Sequence, residues 1–301
     1  MGQVMASNGA NRTPEELVAE LAFLLEVEDR GDDRFIGRQQ PGGTGRVFGG
    51  QVIAQALGAA RRTVPIERHT HSLHAYFLRP GTDERPLEYR VKRDLDGQSF
   101  SNRRVVASQG GEPLLNLVVS FQKPQPGVHH QYSEMPDVPP PEDLKSDDEF
   151  RRELAAILPE GKMRDLALRE RPIDFRSVEP RDWLDPQKRD PVAHVWFRTV
   201  APLPEHRPLH RAIVAYTSDY QMLATALHPH GLNVFNRSVK GASLDHAIWF
   251  HDDFRADDWL LFVTESPWSG MSRGFVRGQI FTREGKLVAS VTQEGMMRVN
   301  T

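Results

Sequence analysis

The chain has 301 residues, with 38 basic and 41 acidic side chains and a formal net charge of -3, enough for two average domains of roughly 150 residues each. A composition of 39% hydrophobic and 26% charged residues excludes collagen-like, coiled-coil and wholly disordered chains, and the pI near 6.5 excludes a global positive field for nucleic acid or an anionic membrane. The absence of cysteine removes disulfides, thiolate catalysis and cysteine-ligated metal centres at once.

In chain order, Met1 to Arg12 is small, polar and unpatterned, and reads as a disordered N-terminus without the basic start or apolar stretch of a signal peptide. Thr13-Pro14-Glu15-Glu16 is a helix start, with a capping threonine, a proline at the first helical position and an acid three residues after the cap. The turn-forming stretch Pro41 to Gly45 leads to Phe48-Gly49-Gly50-Gln51. Behind it, Val52, Ile53, Ala54, Ala56, Leu57, Ala59 and Ala60 predict a helix apolar nearly all round, hence buried. Strands follow at 72–78, 87–93, 100–108 and 114–122, with turn chemistry at Asp96-Gly97 and Gly110-Gly111.

Residues 124–142 are proline-rich, end in Pro139-Pro140-Pro141 and cannot pair in a sheet, so 124–190 reads as a linker carrying one helix, capped at Ser146 to Glu149. A strand at 192–200, a helix over about 218–227 and strands near 244–250, 259–265, 274–282 and 287–293 then repeat the first half. Ser72 to Phe77 resembles Asp245 to Phe250, and Leu114 to Ser120 resembles Leu287 to Gln293, at one common offset, as in a duplicated domain. The units are 13–123 and 191–301. No run spans a bilayer, and Val299-Asn300-Thr301 is no peroxisomal address, so a cytoplasmic protein is expected.

Several motifs carry less chemistry than they suggest. Gly270-Met271-Ser272-Arg273-Gly274 matches a nucleophile elbow, but neither Asp nor His follows it and the next element is a strand, so Ser272 reads as a strand or loop hydroxyl. His69, His71 and His74 fall on two faces of a strand without a completing carboxylate, and no metal is expected. His228-Pro229-His230-Gly231 reads as a helix end. The glycines of 42–50 lack dinucleotide spacing. Asp219, Ser243 and Gln293 remain as polar residues beside apolar elements. Each has an ordinary reading: a helix N-terminal acid, a turn hydroxyl and an edge-strand polar group.

Arg46-Val47-Phe48-Gly49-Gly50-Gln51-Val52, the run His71 to Gly81, Asp245-His246-Ala247-Ile248-Trp249-Phe250-His251, the run Ser272 to Gly278 and Gln293-Glu294-Gly295 together resemble the bacterial acyl-CoA thioesterase II family over about residues 14–298. The resemblance implies an α+β double hotdog fold, in which each half wraps an antiparallel sheet around a long helix. It also implies hydrolysis of fatty acyl-CoA thioesters without a cofactor, in a protein that forms dimers or tetramers. The family's water-activating Asp, Thr or Ser, and Gln carry over to Asp219, to Ser243 where the family pattern favours threonine, and to Gln293.

On this reading Asp219 takes a proton from water that Ser243 and Gln293 hold. The backbone N–H groups of Gly49, Gly50 and Gln51, at a helix start, are expected to form an oxyanion hole; those glycines serve equally for close helix–sheet approach. The first half has Gln51 in place of the acid and Ser120 in place of Gln293, which predicts one site per chain. An acyl tunnel is expected between the helices, with Arg46, Arg61 or Arg104 near the CoA phosphates. The alternatives are a hotdog enoyl-CoA hydratase, which needs an Asp/His pair that Asp219 lacks locally, and a noncatalytic acyl-CoA binding module.

Overall fold

The computed structural model describes residues 12–39, 45–180, 184–233 and 239–299, so the expectations for residues 1–11, 41–44 and 300–301 lie outside the described residues. Arg12, expected within the disordered N-terminus, instead holds Glu170 and Glu20 through its guanidinium. In chain order the elements are α1 (Pro14–Leu25), β1 (Val27–Asp29), β2 (Arg34–Gly37), α2 (Gly49–Arg61), β3 (His69–Phe77), β4 (Glu88–Asp96), β5 (Phe100–Gln109) and β6 (Glu112–Gln122). They continue with α3 (Asp147–Ile157), α4 (Lys162–Leu168), β7 (Ile173–Ser177), β8 (Val192–Thr199), α5 (Arg207–Ser218) and α6 (Met222–Leu227). The chain ends in β9 (Val239–Ser243), β10 (Asp245–Phe250), β11 (Leu260–Gly270), β12 (Arg273–Thr282) and β13 (Leu287–Val299).

One antiparallel sheet of 13 strands runs β1-β2-β4-β5-β6-β3-β10-β13-β12-β11-β8-β7, with β9 added on β13. Its two halves meet where β3 pairs with β10, Tyr76 opposite Asp245 and Ser72 opposite Trp249. Alternating burial along β5 and β13 shows why these segments form strands: one side chain in two enters the core. On the inner face α2 packs on β4, β5 and β6, and α6 on β11, β12 and β13. The small apolar side chains of α2, Ile53, Ala54, Ala56, Ala59 and Ala60 among them, are fully enclosed, as an all-round apolar helix requires.

The capping boxes at Thr13 and Ser146 both form, each with its glutamate bonded back to the cap backbone. Between residues 124 and 190 the chain carries more than one helix. It also builds α4 and the edge strand β7, which pairs with β8. Gln131 and Ser133 tie the extended stretch ahead of α3 to Gly285, Leu287 and Gln279 of the second half.

The largest departure from expectation is the helix placed at 218–227. The structure has two helices there: α5, opened by Pro208 in its first turn, ends at Ser218, and α6 starts at Met222. Asp219 is therefore the C-cap of α5 and lies three residues before α6, not at a helix N-terminus. A register shift between Thr70 and Ser72 breaks the two-residue period on which the facing of His69, His71 and His74 was argued. Met271 and Ser272, at φ of 51° and 58°, form the tight turn of the β11–β12 hairpin, so Ser272 is a turn hydroxyl.

Candidate active site

Asp219, Ser243 and Gln293 are far apart in sequence and within hydrogen-bonding distance in space. The Ser243 hydroxyl donates to Asp219 Oδ1 at 3.0 Å, and Gln293 Nε2 donates to Ser243 Oγ at 3.0 Å. The Gln293 amide and the Gly50 N–H also bond to the Asp219 carboxylate. Local structure explains the convergence. Ser243 is the last residue of β9 and pairs with Gly295, placing its hydroxyl beside Gln293 in the facing strand β13. Asp219 is delivered by the end of α5, which Arg211 holds to the sheet through the Thr70 carbonyl at 2.7 Å.

A carboxylate at a helix C-terminus faces the negative end of the helix dipole, so the ordinary reading of Asp219 as a dipole-stabilised acid does not apply. Burial raises its pKa to about 6, against the opposing pull of Ser243, Gly50 and Gln293. Asp219 as a residue is half-buried, and its carboxyl lies on the buried side. A carboxyl that changes charge near neutrality and is held by three donors has the properties of a general base.

The three N–H groups expected as an oxyanion hole divide. The Gly50 N–H is directed at Asp219 and that of Gln51 at the Phe48 carbonyl, 3.1 Å away. The Gly49 N–H has no acceptor among the described residues, which leaves it alone of the three able to meet an oxyanion. Gly50 is required by space: a Cβ there would lie 2.3 Å from the backbone oxygen of Tyr216. At this crossing α2 and α5 are in backbone contact, so the acyl tunnel expected between the helices cannot pass there.

Sequence reasoning missed His246, which is fully buried in β10 with both ring nitrogens engaged. Nδ1 lies 2.5 Å from Gln293 Oε1 and Nε2 lies 2.9 Å from Ser218 Oγ. Burial lowers its pKa to about 4, so the ring is neutral at pH 7. Its signal in the sequence was a charged-type residue at a core-facing position of an apolar strand, one residue past Asp245. No imidazole bonds to Asp219 among the described residues. The His69, His71 and His74 trio makes no metal cluster among the described residues; the His71 ring bonds to Ser120 and the His74 ring stands edge-on to Trp249.

An antiparallel sheet curved around buried helices in two linked halves is the double hotdog architecture, and a carboxylate, hydroxyl and amide at the junction of its helices suit hydrolysis of an activated ester. A family profile described as acyl-CoA thioesterase matches residues 167–296, and one described as acyl-CoA thioesterase N-terminal domain matches 38–122. The acyl-coenzyme A thioesterase 8 of Homo sapiens is 40% identical over 284 residues, covering 92% of this chain and 88% of the human one. The crystal structure of an acyl-CoA thioesterase II from Mycobacterium marinum superposes with a TM-score of 0.76 at 38% identity, covering 94% of this chain and 99% of the other. A hot dog fold protein from Alicyclobacillus acidocaldarius, with a TM-score of 0.71 at 18% identity over 93% and 98% of the two chains, shares the fold. The chain belongs to the acyl-CoA thioesterase family.

Proposed function

We propose that this protein hydrolyses fatty acyl-CoA to free fatty acid and CoA, with Asp219 as general base and Ser243 and Gln293 as the groups that place the attacking water. Water gives a proton to Asp219 as its oxygen adds to the thioester carbonyl. The oxyanion is met by the Gly49 N–H at the start of α2. Collapse of the tetrahedral intermediate expels the CoA thiolate, which takes the proton back from Asp219, so no covalent enzyme intermediate is needed. Positioning and base catalysis of this kind contribute about 10² to 10⁴-fold.

The observation that carries the reading is the Asp219 carboxyl at the C-terminus of α5, bonded to Ser243, Gln293 and Gly50 and titrating at about 6. For the CoA phosphates, a cavity of about 340 Å³ supports one of the arginines expected from the sequence. Arg46, Arg85, Arg169 and Arg171 line it and have no carboxylate partner among the described residues. Arg61 and Arg104 are already committed, the first to the carbonyls of Val64, Pro65 and Ile66 and the second to Asp94. The cavity also includes Phe48 and Tyr220, neighbours in sequence of Gly49 and Asp219. We place the enzyme in the cytoplasm as a homo-oligomer on the family likeness.

The test is CoA release from palmitoyl-CoA, followed with a thiol reagent. The Asp219→Asn variant is expected to lose nearly all turnover while melting at a comparable temperature, and an active Asp219→Asn would reject the base. The same assay separates the alternatives: loss of enoyl absorbance from an enoyl-CoA would mark a hydratase, and binding without turnover a carrier module.

A further inference from the structure

We propose that Ser218 and His246 are positioning residues of the hydrolytic site, joined to it by a one-way chain of hydrogen bonds that fixes the orientation of the Gln293 amide. The proposal rests on the reading of Asp219, Ser243 and Gln293 as the groups that handle water. The atoms in order are Ser218 Oγ, His246 Nε2 and Nδ1, Gln293 Oε1 and Nε2, Ser243 Oγ and Asp219 Oδ1, with separations of 2.9, 2.5, 3.0 and 3.0 Å between successive side chains. Ser218 and His246 are 0% exposed and Gln293 is 1% exposed, so solvent supplies no alternative partner for the three inner members.

The direction of every bond follows from the charge at one end. A carboxylate only accepts, so the single Ser243 proton must go to Asp219. Ser243 Oγ must then accept from Gln293, which turns Nε2 toward Ser243 and Oε1 toward His246. An amide oxygen cannot donate, so His246 must carry its proton on Nδ1. Its Nε2 is left as an acceptor for the Ser218 hydroxyl. Rotating the amide by half a turn would set Gln293 Oε1 against Ser243 Oγ, two acceptors about 3.0 Å apart while the hydroxyl keeps its bond to Asp219, and would turn Nε2 toward the Nδ1–H of His246. The buried neutral ring is consistent with this arrangement, in which the Ser218 hydroxyl donates to Nε2 at 2.9 Å in preference to the Ala215 carbonyl at 3.3 Å.

The consequence for the reaction is that the second N–H of Gln293, the one not given to Ser243, has a fixed direction toward Asp219 and the water it activates. Without the His246 Nδ1–H the amide can rotate and offer its oxygen there instead. His246 touches neither substrate nor water; it acts through Gln293.

Nitrogen-15 NMR of the histidine-labelled protein, with the His246 signals assigned by their absence from a His246→Asn variant, reads the tautomer directly. The expected result is a neutral ring protonated at Nδ1 from pH 6 to 9. In the thioesterase assay His246→Leu is expected to lower kcat by about tenfold or more at a KM within about twofold of wild type, as for a misplaced positioning group. His246→Asn keeps an N–H for Gln293 Oε1 and is expected to hold kcat within about threefold. An Nε2-protonated ring overturns the proposal, as does a His246→Leu enzyme with unchanged kcat or an Asn variant as slow as the Leu variant. If the Leu variant does not fold, the tautomer of the wild-type ring and the kcat of the Asn variant decide. The tautomer is measured without turnover, so its failure is distinguishable from failure of the base assignment, which an active Asp219→Asn would show.

Discussion

The two halves of the sheet are built to one plan and differ in what they bury at matching places. In the first half Leu73 of β3 stands opposite Val119 of β6, both fully buried and apolar. In the second, β10 and β13 run with Ala247 opposite Thr292, which sets His246 against Gln293 in the next pair. One half closes its core there with hydrocarbon and the other with a polar chain that ends in a carboxylate. The glutamines that the first half buries are satisfied locally. Gln55 donates to the Leu24 and Arg38 carbonyls and accepts from the Tyr89 hydroxyl, and Gln51 donates to Arg38. A buried amide whose partners are main-chain carbonyls and a phenol is structural, whereas one whose partners lead to a titrating acid is placed to react.

The sharpest way to break this comparison is pH. If the second half works through Asp219 as a base with a pKa of about 6, log kcat/KM should climb by about one per pH unit below that value and level off above pH 7. The same shift has the opposite sign for stability. The native carboxyl holds its proton more tightly than the unfolded one, whose value is near 3.8, so the contribution of Asp219 to stability falls as pH rises between those values and is lost above about 6. His246 is depressed to about 4 and opposes this trend, because the unfolded chain takes up a proton below pH 6.5 that the native ring refuses. Activity should therefore fall away near pH 6 in a protein that is still folded, measured by turnover and circular dichroism on the same samples. A flat profile from pH 5 to 8 would remove Asp219 as the base.

Next in size is Gly50→Ala. The added methyl would meet the Tyr216 backbone at 2.3 Å, so α2 and α5 must part and the Gly50 N–H must leave the carboxylate. We expect kcat to fall by about tenfold or more, since displacement of about 1 Å at a reacting group has effects of that order, together with a lower melting temperature. An enzyme of normal kcat would show that the Gly50 contact does not place Asp219.

How much of this was legible in the sequence depended on the physics of each part. Helix starts were readable because capping is local: Thr13-Pro14 and Ser146 to Glu149 carry their own partners within four residues. The helix α5 was not, because the stretch between the strand at 192–200 and the helix placed at 218–227 was given no element, although Pro208 marked its first turn. Asp219 was named through the family likeness and assigned the wrong end of a helix, since the helix that ends at Ser218 was not read. His246 was missed because its meaning lies in partners remote in sequence, Gln293 on the neighbouring strand and Ser218 at the end of α5.

Ser243→Thr and Ser243→Ala sharpen the comparison from within the site. Threonine keeps the hydroxyl and adds a methyl that narrows its rotamers, so kcat should stay within about threefold of wild type. Alanine removes the donor to Asp219 and the acceptor for Gln293 together, and kcat should drop well below that of either hydroxyl variant. Equal rates for all three would mean that the hydroxyl does not place the water.

The smallest effect is expected at Ser120, and the reason corrects the repeat as read from the sequence. The common offset matches Ser120 to Gln293, yet along β6 it is Val119 and Phe121 that are buried, while along β13 it is Val291, Gln293 and Gly295. A one-residue slip turns a strand residue to the opposite face, and register shifts occur in both β3–β6 and β12–β13. Ser120 thus faces away from the position that Gln293 occupies and bonds to His71 Nε2 at 2.8 Å on a half-buried surface. Ser120→Ala should leave kcat and KM unchanged within error and cost about 0.5 to 1 kcal/mol of stability in denaturant unfolding, the value of one partly exposed neutral hydrogen bond. A fall in kcat with normal stability would mean that the first half contributes to the reaction through this strand, and the division of labour between the halves would have to be redrawn.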